Sequence, residues 1–148
     1  MNLDSTEKPP KKNVNKRRQS RAYAMQILFQ WHFSHEPPQV LFQHFLAEHI
    51  ETDKPADLNY SRTLFFGAVE HMDAIDALMT PCLDRSITSL NPVELSLLRL
   101  AIYEIEHHPE VPPPVVINEA IELAKEFGSV EGYKFVNGVL NAIVKRTR

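Results

Sequence analysis

Seven cationic side chains crowd the first 21 residues: Lys8, Lys11, Lys12, Lys16, Arg17, Arg18 and Arg21, against two acids, Asp4 and Glu7. That stretch carries a net +5, whereas the other 127 residues hold nine basic and seventeen acidic side chains, a net −8. The chemistry open to such an arm is electrostatic. Ammonium and guanidinium groups bind phosphate, and a basic arm on an acidic body suits two partners of opposite sign. Charge alone leaves a merely solvated tail as an equal reading.

The remaining reactive side chains do not assemble into a catalytic pattern. His32 and His35 lie three apart, His44 and His49 five apart, and His107 and His108 are adjacent. Metal-ligating pairs bring Cys, Asp or Glu at fitting positions, so no metal site is expected. Cys82 is the single thiol and can form neither an internal disulfide nor a cysteine-rich zinc site. Gly67, Gly128, Gly132 and Gly138 are too few and too scattered for a phosphate-cradling loop. Neither a Gly-x-Ser-x-Gly elbow nor a His-Glu-x-x-His helix is present. No enzyme activity and no cofactor are expected. Two charges remain conspicuous, because they stand on otherwise apolar segments: Arg99 and Glu119. A buried ion pair between these two is the expectation, since an unpaired buried charge is costly.

Eleven prolines mark the elements that must position these groups, at 9–10, 37–38, 55, 81, 92, 109 and 112–114. Proline suits the first turn of a helix and costs about 3 kcal/mol inside one, so the intervening segments read as helices. The spacing predicts a helix over about 16–35, with Ala24, Ile27, Leu28 and Trp31 on one face. A shorter helix follows over 40–50. Asp57 is placed to cap another, whose stripe runs through Phe65, Ala68, Val69, Met72, Ile75 and Met79. Residues 81–90 suggest a short helix. Asn91-Pro92-Val93-Glu94 is a start signal, with Asn91 as cap, Pro92 in the first turn and Glu94 as capping-box acid. The helix behind it is apolar nearly all round, hence central. Further helices are predicted after the triple proline and over about 130–145. Gly138, in mid-helix, predicts a close helix contact. No apolar run approaches the roughly 18 residues of a membrane span, and the polar N-terminus lacks a secretory signal. A cytoplasmic chain of one domain is expected.

Several runs then become specific. Leu98-Arg99-Leu100-Ala101-Ile102-Tyr103-Glu104-Ile105, Val116 through Gly128 and Lys134-Phe135-Val136-Asn137-Gly138-Val139-Leu140 resemble the C-terminal signature of the NusB family. Arg17-Arg18-Gln19-Ser20-Arg21, followed by Ala24 through Trp31, resembles the start of the same family, and the likeness spans about 16–145. It implies an all-α fold of six to seven helices in two packed three-helix subdomains over 16–148; the basic extension over 1–15 is longer than that core needs and is expected to be disordered. The likeness also implies binding of single-stranded box A RNA in ribosomal-RNA leader transcripts. The expected partner is the ribosomal protein NusE, in a heterodimer that acts on the RNA polymerase elongation complex. Homodimerisation of the free chain stays open. In this reading the arm cations Lys16, Arg17, Arg18 and Arg21 offer phosphate contacts, and by family position Lys134 and Phe135 would add a phosphate contact and a stacking ring, although Phe135 reads at least as well as a core aromatic. Phe29 and Glu94 would face the protein partner, although core packing and helix capping explain those two equally well. Two departures are visible: Ala22 where the family often has an acid, and Gly132 where a serine commonly precedes the Lys-Phe pair. NusB-like modules of RNA methyltransferases and a purely protein-binding helical module are the competing readings.

Overall fold

The structure, a computed structural model, describes residues 16–49 and 56–147 in full. Among the described residues seven α-helices succeed one another: α1 (Asn2–Ser34), α2 (Pro38–His49), α3 (Leu58–Glu70), α4 (Met72–Met79), α5 (Pro92–His107), α6 (Pro113–Phe127) and α7 (Gly132–Thr147). There is no strand among the described residues. The disordered extension expected over 1–15 lies outside them.

Prolines act as the sequence predicts, opening α2, α5 and α6 in their first turns. Asp57 caps α3 by accepting the Tyr60 N–H at 3.2 Å. The Asn91 side chain accepts from both Val93 and Glu94 at the head of α5. The stripe expected from Asp57 to Met79 is split. The chain bends at His71, whose N–H bonds back to the Gly67 carbonyl at 3.0 Å, and α4 begins at the next residue. Phe65, Ala68, Ile75 and Met79 are nevertheless all buried. The short helix expected over 81–90 is two separate 3-10 turns, Thr80–Cys82 and Ile87–Ser89.

Helices α1, α2 and α3 form one packed group, and α5, α6 and α7 form the other. α5 also packs against α1 and α3, so it is the shared wall. Every residue from Glu94 to Ile105 is buried, which is why the helix shows no polar face in the sequence. Gly138 does not make the expected contact: a Cβ built there would meet nothing within 4 Å. Close approaches to α5 occur at other glycines, among them Gly67, where a Cβ would sit 2.0 Å from Cζ of Tyr103.

Candidate nucleic-acid interface

One turn of α1 sorts its charges by direction. Lys16 is exposed, Arg17 and Arg18 are half-buried, and Ser20 and Arg21 face inward. Ser20 ties α1 to the head of α3. Its Oγ accepts the Asp57 N–H at 2.7 Å, and its carbonyl accepts the Ser61 hydroxyl at 2.8 Å. Arg21, 8% exposed, donates from Nε and Nη2 to the two oxygens of Glu104 at 2.9 and 2.6 Å. The Tyr60 hydroxyl donates to the same carboxylate, which is 1% exposed. Burial works against the Arg21 cation, but the hydrogen bond and charge of Glu104 outweigh it and hold its pKa above the ordinary range. Burial, and then the bond to Glu104, raise the Tyr60 phenol as well. The structure thus places the Arg21 guanidinium, expected to offer a phosphate contact, on a buried carboxylate.

Arg18 is also engaged. It forms a fork-to-fork pair with Glu119 of α6, Nε to Oε1 at 2.8 Å and Nη2 to Oε2 at 2.9 Å. That pair overturns the expected Arg99–Glu119 bridge. Arg99 turns to α4 and donates to Asp76 at 3.0 and 2.8 Å. Both charges are paired because they are buried, but the bend at His71 brings Asp76 to Arg99, leaving Glu119 to the arm. Arg17 lies over the Tyr60 ring, 3.8 Å from its centroid. Lys16 is thus the outward cation of this turn.

The second expected RNA contact stands at the first turn of α7. Lys134 is exposed and pairs with Glu131 at 2.7 Å. Phe135 is half-buried, with the Arg85 guanidinium 4.8 Å over its ring. Arg85 carried no signal in the sequence, because the contact depends on how the connection between α4 and α5 folds. Glu94 is not a capping-box acid. It is 6% exposed, and its Oε2 accepts the Ser129 N–H at 3.0 Å and the Ser129 hydroxyl at 2.6 Å. Phe29 is half-buried and stacks edge-on with Phe33, their centroids 5.1 Å apart. Phe33, one turn further on, is 61% exposed, an apolar extension that the i,i+4 spacing could have disclosed.

Elsewhere the histidines pair differently from their sequence neighbours. His71 and His107 lie 4.3 Å apart between ring centroids, and Tyr103 stacks on His107. No group of three or more His, Cys, Asp or Glu among the described residues is arranged to hold a metal. No described helix is long and apolar enough to cross a membrane.

Comparison with known proteins closes on one family. The NusB family pattern matches residues 18–145. The chain belongs to the NusB family. It is 47% identical over 136 residues to the transcription antitermination protein NusB of Coxiella burnetii (strain Dugway 5J108-111), covering 91% of this chain and 97% of that one. It is 43% identical to the protein of the same name from Pasteurella multocida (strain Pm70), over 93% and 94% of the two chains. NusB family members are thus named for transcription antitermination, which is not an enzymatic activity. Among solved structures, the chain resembles one of antitermination factors NusB and NusE in complex with double-stranded RNA. There the TM-score is 0.78 at 32% identity, over 87% of this chain and 96% of that one. It also resembles T. maritima NusB, with a TM-score of 0.76 at 33% identity over 86% and 89%.

Proposed function

We propose that this chain is a transcription antitermination factor. In this reading it binds single-stranded box A RNA of ribosomal-RNA leader transcripts together with NusE and promotes read-through by RNA polymerase. The observation that carries the proposal is the likeness, over 87% of this chain, to a NusB chain solved with NusE and double-stranded RNA. The surface chemistry is compatible. Lys16 and Arg17 present cations at the edge of α1, and Lys134 with Phe135 offers a cation beside an aromatic ring on α7. Phosphate contacts by the first group and stacking by the second are the two means by which proteins hold single-stranded RNA. The Phe29–Phe33 pair on α1 supplies an apolar patch for the protein partner, and the acidic body attracts a basic one. A cytoplasmic location follows from the same reading.

A gel-shift titration tests it, with box A RNA, a scrambled single strand and a duplex of equal length, each with and without NusE. Preference for box A that sharpens when NusE is added is the expected result. Equal binding of all three RNAs would reject sequence-specific recognition.

A further inference from the structure

We propose that Glu94 is a positioning residue that fixes the first turn of α7 for RNA, rather than a contact to the protein partner. The inference rests on the RNA-binding reading above and gives one buried carboxylate a role within it. Asn91 already satisfies the free N–H groups at the head of α5, so the Glu94 side chain is released from capping. It crosses to the α6–α7 connection, where Ser129 gives it both a backbone and a side-chain hydrogen bond.

Two glycines open the space it occupies. A Cβ on Gly132 would stand 1.8 Å from Glu94 Oε2, and one on Gly128 would stand 3.1 Å from it. Neither glycine has a positive φ, so space rather than backbone freedom is what asks for glycine: room for the carboxylate at Gly132, and at Gly128 first for the Ala124 carbonyl, 2.8 Å from such a Cβ. The turn that grips Glu94 leads straight into Tyr133, Lys134 and Phe135. Arg85, an exposed cation paired with its neighbour Asp84, lies over the Phe135 ring. The turn that leads into Lys134 and Phe135 is therefore anchored by a group on a different helix.

Four variants test this: Glu94→Ala, Gly132→Ala, their double, and Glu94→Gln, which keeps an acceptor for Ser129. Three quantities are read: RNA affinity with NusE present, NusE affinity without RNA, and amide exchange at Tyr133–Phe135. Glu94→Ala and Gly132→Ala should each weaken RNA binding roughly tenfold, the scale of one lost hydrogen bond to a charged group, and speed the exchange. NusE affinity should stay within about twofold, since no interface contact is removed. The double variant should be no worse than Glu94→Ala, because the added methyl then fills vacated space. Glu94→Gln should behave nearly as the parent.

Weakened NusE binding with unchanged exchange would return Glu94 to the interface and overturn the proposal, as would additive losses in the double variant. If the parent chain binds none of the RNAs, the functional reading fails, while the exchange rates still decide whether Glu94 orders the turn. If Glu94→Ala does not fold, Gly132→Ala carries the same test with the carboxylate retained.

Discussion

Arg21→Ala separates a structural cation from an RNA-binding one. The substitution removes the partner that occupies both oxygens of Glu104, a carboxylate 1% exposed. Only the Tyr60 hydroxyl would remain on it. Breaking a buried pair from one side costs about 3–5 kcal/mol, because an uncompensated charge stays inside. Unfolding entropy near the midpoint is about 2.1 cal/mol/K per residue, or roughly 0.3 kcal/mol/K for this chain. The expected fall in Tm is therefore about 10–15 °C, read by far-ultraviolet circular dichroism at pH 7. Lys16→Ala, which removes an exposed side chain, should leave Tm within about 2 °C and weaken RNA binding. Replacing the whole network by Arg21→Met, Glu104→Met and Tyr60→Phe should restore most of the loss, since apolar packing often matches a buried ion pair. If Arg21→Ala kept the parent Tm and lost RNA affinity as Lys16→Ala does, Arg21 would be an RNA contact and the reasoning from burial would be refuted.

Three further substitutions probe the same architecture. Tyr60→Phe should cost about 1.5–3 kcal/mol, the range for a hydrogen bond to a charged group. The Tyr60 phenol is raised by burial and by Glu104, so its contribution is complete below its unfolded value near pH 10 and is lost as the pH climbs beyond. Tyr60→Phe should accordingly flatten the alkaline limb of the stability curve. Gly67→Ala should destabilise by about 1–3 kcal/mol through overpacking, because the new Cβ meets the buried Tyr103 ring, and Tyr103→Leu should relieve it. Double-mutant cycles in denaturant should give about 0.5–3 kcal/mol of coupling between Arg99 and Asp76 and between Arg18 and Glu119, but almost none between Arg99 and Glu119.

Helix positions were legible because their causes are local. Prolines in first turns, the caps at Asp57 and Asn91 and the largely apolar run of α5 depend on neighbours within a few residues. Partners across the fold were not. The sequence shows that Arg99 and Glu119 are charges on apolar helices and hence paired, but the choice of mate depends on the bend at His71, which no residue nearby announces. The glycines behave alike. Both Gly67 and Gly138 break helical propensity, yet only Gly67 faces another helix, and which one does is a property of packing. Glu94 misled for a related reason: a capping-box acid and a buried acceptor for a distant turn look identical in sequence.

The same distinction bears on how charge should be read in this chain. Net charge counts side chains, whereas RNA responds to those left free. Of the four cations between Lys16 and Arg21, Arg21 is committed to Glu104, Arg18 is shared with Glu119, Arg17 lies on an aromatic face and Lys16 is open. Each phosphate contact on a single strand contributes about 0.7 to the slope of log affinity against log salt. Lys16→Ala with Arg17→Ala should therefore lower that slope by about 1.4, while Arg21→Ala leaves it unchanged in whatever fraction stays folded. Arg18→Ala discriminates most sharply. A slope reduced by about 0.7 would mean that RNA draws the guanidinium away from Glu119, and an unchanged slope that the bridge persists in the complex. A reduction of about 0.7 on removing Arg21 as well would mean that the buried network opens on binding, and the static division of the arm into structural and binding cations would have to be abandoned.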